Sequence, residues 1–152
     1  MNIWFLVADA SRARIFETTT DNKKAPLNEI MDLADPNARI RQTELASDGP
    51  GRNATAGGHG THGMQEKITP REQEDIRFAA DICKELQDKL NQGRFGRLYI
   101  AAAPRFLGLL RNGLPSGVKS KVAGDLDKDL TRFGESEIRE HLHRMMLSLI
   151  HI

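Results

Sequence analysis

Apolar positions form two short continuous runs, at residues 3–8 and 98–102. Both runs lack charged residues and are rich in β-forming side chains, which predicts strands buried on both faces of a sheet. Residues 13–18 and 27–33 mix apolar with polar positions and predict two more strands. A tight turn beginning at Asp9 separates the first two strands, so we expect them to form a hairpin.

The clearest helix begins after Thr69. This residue offers an N-cap hydroxyl, Pro70 occupies the first helical position, and Glu72 stands three residues after the cap. Apolar residues then recur at helical spacing until Gly93, where the helix is expected to end. Cys83 lies on this apolar stripe, and we interpret it as a small core residue rather than a reactive thiol.

The last third of the chain predicts two more helices around a short strand. A short helix starts at Pro104, residues 118–122 predict the strand, and a final helix starts at about Glu135 with Ile138, Leu142, Met145 and Leu149 on its apolar face. A meander followed by β-α units indicates an α/β fold with one mixed sheet of about five strands flanked by helices. The long connection after the third strand lets the fourth lie parallel to the first.

Composition indicates a globular chain of 152 residues, with 39% hydrophobic and 28% charged residues. This length predicts one domain over residues 1–152. The formal net charge of +1 predicts no whole-molecule attraction to nucleic acid or membrane. The single cysteine fits a reducing compartment, and residues 3–8 are too short for a signal peptide or a bilayer span. We therefore expect a cytoplasmic protein with no membrane partner.

Charge is segregated along the sequence despite the small net value. Residues 90–124 contain no acidic side chain. Six basic residues lie within them, namely Arg94, Arg97, Arg105, Arg111, Lys119 and Lys121. If these cations share one face, that face would suit the phosphates of RNA. The alternative is an ordinary solvated surface.

Residues 48–63, with the sequence DGPGRNATAGGHGTHG, contain six of the thirteen glycines and no large apolar side chain. A loop this long before the first major helix is typical of a functional segment, and its glycines would let the backbone approach an anion. Its candidate ligand- or RNA-binding residues are Arg52, Gly57, Gly58, His59 and His62. Metal binding by the two histidines and a loop with incidental histidines are the alternatives. No cofactor, metal site or catalytic residue is assigned.

Four carboxylates are a further candidate. Asp9 ends the first strand, and Asp125, Asp127 and Asp129 occur late in the chain. Carboxylates gathered at strand ends can hold two Mg²⁺ ions for phosphodiester cleavage. We favour the simpler interpretation, in which Asp9 caps its turn and the three later residues form a polar turn before the last helix.

Four segments together resemble the host attachment protein family of bacteria. They are WFLVAD at residues 4–9 with RAR at 12–14, SDGPGR at 47–52, AAPRFLG at 102–108, and DKDLT at 127–131. That family is similar to the middle domain of archaeal and eukaryotic peptide-chain release factors and of pelota. The resemblance implies a mixed sheet with a long loop, which in release factors presents a Gly-Gly-Gln tripeptide to peptidyl-tRNA. Here the corresponding residues are Gly57, Gly58 and His59, so release-factor chemistry does not transfer.

Three functions follow as hypotheses. The first is a binding protein that contacts the ribosome or tRNA through the loop and the basic residues. The second is a hydrolase, with His59 as general base on an ester such as peptidyl-tRNA or with metal at Asp9 and Asp127 for RNA. The third is an interaction protein, as a homodimer or with a protein partner, that affects attachment to host cells indirectly.

Overall fold

The computed structural model describes residues 2–19, 25–35 and 68–150. Within them a five-stranded sheet has the strand order β3-β2-β1-β4-β5 and is flanked by four helices. The elements are β1 (Ile3–Ala8), β2 (Arg12–Thr18), β3 (Asn28–Ala34), α1 (Pro70–Asn91), β4 (Arg97–Ala102), α2 (Pro104–Gly113), α3 (Ser116–Lys119), β5 (Val122–Leu126) and α4 (Glu135–Ile150). The predicted α/β fold with a single mixed sheet is confirmed. The glycine- and histidine-rich segment 48–63 lies outside the described residues.

Strand directions place three strand ends together. β1 and β2 form the expected antiparallel hairpin, and β4 lies parallel to β1 with Ile3 opposite Arg97 and Ala8 opposite Ala102. β5 is parallel to β4. The carboxyl ends of β1, β4 and β5 therefore meet along one side of the sheet, called here the carboxyl edge, and their amino ends meet along the opposite side, the amino edge.

Both predicted apolar runs are buried because helices cover both faces of the sheet. Trp4 and Leu6 belong to the core beneath α1 and α2, whereas Phe5 and Val7 belong to the core beneath α4. Successive strand residues point to opposite faces, so a strand covered on both sides needs an apolar residue at each position. Cys83 is 3% exposed in the first core, as predicted, and burial raises the pKa of its thiol to about 11.

The helix α1, which begins after Thr69, also has the predicted cap. The Thr69 hydroxyl accepts a hydrogen bond from the Glu72 N–H at 3.1 Å, and the Glu72 carboxylate accepts one from the Thr69 N–H at 3.0 Å. These reciprocal bonds satisfy two N–H groups that an uncapped helix leaves without partners. Local hydrogen bonds between Thr69 and Glu72 therefore stabilise the first turn of α1.

Two boundaries differ from the prediction. Val118 lies in the short helix α3 rather than in a strand, and the fifth strand begins only at Val122. The sequence pattern placed the fifth strand too early, because Gly124 and Asp125 have low strand propensity. Both nevertheless lie inside β5, where pairing with β4 holds them extended. In α4, Ile138 and Leu142 are buried as predicted, but the next buried residue is Met146, whereas the predicted Met145 is only partly buried.

None of the helices within the described ranges is long and apolar enough to cross a bilayer.

Candidate functional site

Asp9 organises the turn at the carboxyl edge. Its Oδ1 accepts hydrogen bonds from the N–H groups of Ser11 and Arg12, both at 2.9 Å. Its Oδ2 lies 3.1 Å from the hydroxyl of Thr131, a residue 2% exposed. One carboxylate therefore closes the first hairpin and contacts the segment before α4, which agrees with the interpretation of Asp9 as a turn cap.

Arg14 makes the strongest connection between those two parts of the chain. Its Nε and Nη2 form a two-point pair with the Glu29 carboxylate, both at 2.9 Å. Its Nη1 donates to the carbonyl oxygens of Thr131 and Phe133, both at 3.0 Å. The guanidinium also lies 5.0 Å from the centre of the Phe16 ring. Each guanidinium nitrogen is thus directed to a defined acceptor, and its cation lies over an aromatic ring.

Two of the carboxylates considered for metal binding, Asp9 and Asp129, approach the same Thr131 hydroxyl, at 3.1 and 2.6 Å. Asp125 is paired with Arg111 through bonds of 2.9 and 3.0 Å, at the outer side of the sheet. Asp129 accepts from the N–H and hydroxyl of Thr131 at 2.9 and 2.6 Å, as a local turn does. Across the described ranges, no three His, Cys, Asp or Glu residues are grouped so as to hold a metal ion.

Asp35, which precedes positions 36–67, and the first turn of α1, which follows them, both lie at the carboxyl edge. Asp35 follows β3, and its N–H donates to the Ser11 carbonyl at 3.0 Å. On the other side, Glu72 in the first turn of α1 lies 3.2 Å from Arg105, which follows β4. Arg105 also lies 3.6 Å from the carboxylate of Asp75. This predicted RNA-binding residue is therefore engaged with two carboxylates.

Four of the six predicted cations meet at the amino edge instead. Arg94 and Arg97 precede and begin β4, and Lys119 and Lys121 precede β5. The Lys121 carbonyl accepts from the Leu98 N–H at 2.9 Å, which joins the two segments. None of these four residues forms a salt bridge with another described residue. β4 has six residues, so roughly 17–20 Å of strand separates this edge from the carboxyl edge.

The two arginines occupy opposite sides of the amino edge. The Arg94 guanidinium lies 5.9 Å from the Trp4 ring, in the core beneath α1. Arg97 points to the other face, because Leu98 and Ile100 alternate with it and face α1. The Glu17 carboxylate, opposite Trp4 on β2, accepts a hydrogen bond from the Trp4 indole N–H at 3.0 Å. The edge therefore presents positive charge on both sides.

A cleft between β5 and α4 was not anticipated. It has a volume of about 410 Å³ and lies between residues 124–128 and one stripe of α4. The α4 side chains are His141, Arg144, Met145 and Ser148. Their spacing of three, four and seven residues was a usable signal for one helix face. The opposite wall is harder to predict, because residues 125–126 belong to β5 rather than to a polar turn.

A family model described as "Protein required for attachment to host cells" matches residues 4–142. The chain belongs to this host attachment family. No curated protein matches it. The matched range spans the first half of α4 and all of the sheet except Ile3, so it includes the junction of Asp9, Arg14 and Thr131 and both edges.

In this host attachment protein the predicted site residues therefore divide into three groups. Arg52, Gly57, Gly58, His59 and His62, predicted to lie on a loop, are outside the described residues. Arg94, Arg97, Lys119 and Lys121 come together at the amino edge. Arg105 and Arg111 lie elsewhere, each paired with carboxylates.

Proposed function

We propose that this host attachment protein is a cytoplasmic, non-catalytic binding protein that contacts the phosphates of ribosomal RNA or tRNA through its amino edge. The observation that carries the proposal is the meeting of Arg94, Arg97, Lys119 and Lys121 without salt-bridge partners among the described residues. Its role in attachment to host cells is then indirect, through the RNA or ribosome that it binds.

The chemistry of the amino edge supports phosphate contact. Guanidinium groups pair with phosphate oxygens in a two-point geometry, whereas an ammonium group acts as a point charge. Arg94 is held over Trp4, which limits its freedom before binding. The cations come from two chain segments, so the folded sheet, not one basic run, sets their spacing.

The glycine- and histidine-rich loop is a second contact in this proposal. Gly57, Gly58 and His59 match two of three positions of the release-factor tripeptide, and that likeness supports contact with tRNA or the ribosome as a fold analogy. The described residues on either side of the loop leave from the carboxyl edge. We therefore propose two separate contacts rather than one basic face that includes the loop.

Salt dependence of RNA binding tests the amino edge directly. If each of the four cations neutralises one phosphate, the logarithm of affinity falls with the logarithm of salt concentration with a slope of about −2.8 to −3.6. Affinity for tRNA, measured by fluorescence anisotropy, should then fall roughly 50- to 150-fold between about 50 mM and about 200 mM salt. Cosedimentation with ribosomes should weaken over the same range.

Variants separate the two contacts. Changing Lys119 and Lys121 together to Gln should reduce the slope by about 2, because two phosphate contacts are lost. Lys84→Gln, on the exposed side of α1, is the matched control and should leave the slope unchanged. His59→Ala tests the loop in the same assay. No tRNA or ribosome binding at about 50 mM salt, or an unchanged slope in the lysine pair variant, would overturn the amino-edge proposal.

A further inference from the structure

The cleft between β5 and α4 has both an apolar part and a basic part. Leu126 and Met145 give it an apolar part, whereas Lys128, His141 and Arg144 give it basic groups. These basic groups come from the turn after β5 and from α4, so only the folded chain brings them together. A volume of about 410 Å³ lies within the range of small-molecule sites.

Charge in the cleft favours an anion. Arg111 already neutralises Asp125, the carboxylate that lines the cleft, at 2.9 Å. Glu140 lies 3.8 Å from Arg144, one turn away on the same helix, and both side chains are well exposed. A pair this exposed interacts weakly, so Arg144 remains able to bind an anion. Lys128 forms no salt bridge with any described residue.

The pKa of His141 depends on these charges. Burial of the imidazole and then the positive charges of Lys128 and Arg144 lower its pKa, and Glu140 and Glu137 oppose them more weakly. Its ring packs against Phe133 with ring centres 5.9 Å apart, which fixes it at the wall of the cleft. At neutral pH the imidazole is therefore a neutral donor and acceptor beside two cations.

We propose that this cleft binds a small phosphomonoester with an apolar or planar body, of which a mononucleotide is one example. Lys128 and Arg144 pair with the phosphate, His141 and the Ser148 hydroxyl bond to its oxygens or to the body, and Leu126 and Met145 contact the apolar part. The site is distinct from the amino edge and does not depend on RNA binding there.

Nuclear magnetic resonance titration of the intact protein tests the assignment. Adenosine 5′-monophosphate and phenyl phosphate are the probes, each added to about 10 mM, where even millimolar affinity gives high occupancy. Amide signals of residues 124–128 and 141–148 should shift. The pKa of His141 should rise on binding, because a phosphate anion offsets the repulsion from Lys128 and Arg144.

Variants and uncharged probes decide the outcome. Lys128→Gln and Arg144→Gln should each weaken binding of either probe about tenfold, as expected for loss of a charged hydrogen bond. Lys84→Gln and the Lys119/Lys121 pair variant should bind normally, which separates this test from that of RNA binding. Adenosine should bind at least about tenfold more weakly than its monophosphate.

Three results would each overturn the proposal. They are the absence of shifts with both probes, equal affinity in the Lys128→Gln, Arg144→Gln double variant, and equal affinity for inorganic phosphate and the monophosphate. The last result would show that the apolar part of the cleft contributes nothing to binding.

Discussion

Nη1 of Arg14 donates a hydrogen bond of 3.0 Å to the carbonyl oxygen of Thr131, 117 positions later in the chain. The contact joins β2 to the turn that precedes α4. It also joins two of the segments whose sequences resemble the host attachment family, RAR at residues 12–14 and DKDLT at residues 127–131. These segments are therefore parts of one structural junction.

Replacing Arg14 should destabilise the fold strongly. Its side chain is 12% exposed and serves the Glu29 carboxylate and two backbone carbonyls. Arg14→Gln leaves those acceptors without their charged donor, which we expect to lower the free energy of unfolding by about 2–4 kcal/mol. Urea denaturation followed by circular dichroism measures the change.

Arg12 provides the matched control, since it also pairs with a carboxylate through two bonds. Its side chain and that of Asp32 are 42% and 50% exposed, so solvent screens the pair. Arg12→Gln should cost about 0–1 kcal/mol. Equal losses for the two variants would show that the Arg14 junction adds no more than an exposed ion pair.

Asp9 should act through hydrogen bonds rather than through its charge. Asp9→Ala removes the acceptor for the Ser11 and Arg12 N–H groups and should cost about 1–2 kcal/mol, as loss of a cap does. Asp9→Asn keeps a side-chain oxygen at the same place and should cost clearly less. Denaturation of both variants at neutral pH measures the difference. A loss in Asp9→Asn as large as that in Asp9→Ala would mean that the charge itself is required.

Cys83 should be inert in the folded protein. Burial raises the pKa of its thiol to about 11, so little thiolate exists at about pH 8, and the sulfur is enclosed by the core. A thiol reagent such as dithionitrobenzoate should react slowly with native protein and at once after unfolding in guanidinium. Native reactivity close to that of free cysteine would contradict the buried placement.

The cap of α1 should make stability depend on acid pH. The Thr69 N–H bond lowers the pKa of Glu72 below its ordinary value of 4.5. A carboxyl with a lowered pKa when folded stabilises the protein above its unfolded pKa, and that contribution disappears as pH falls through the folded pKa. The stability advantage over Glu72→Gln should thus be present at about pH 6 and decline as pH falls below 4.5 through the lowered pKa of the folded state. A pH-independent difference would contradict the capping role.

Much of the fold was predictable because strands and helices carry local signals. The runs IWFLVA and LYIAA contain no charged residue, and a strand covered on both faces requires such an apolar run. Thr69 and Glu72 mark the start of a helix through local hydrogen bonds. β5 was misplaced because Gly124 and Asp125 contradict strand propensity and only pairing with β4 holds them extended.

The candidate sites were harder to predict than the elements. Six cations without an acid between them suggested one basic face, but strand direction sends Arg94 and Lys121 to the amino edge and Arg105 to the carboxyl edge. No local sequence pattern predicts at which edge of the sheet each cation lies. The cleft depends likewise on a turn and a helix that are adjacent only after α4 packs on the sheet.

The sequence by itself determined which two strands are buried on both faces, where the main helices and strands lie, and which family the chain resembles. These features depend on short-range patterns of apolar side chains and on motifs. Tertiary structure alone decided which charges remain unpaired and which meet. Charge pairing depends on distances of a few ångströms between residues far apart in the chain, such as Arg14 and Thr131, and those distances exist only once the sheet is assembled.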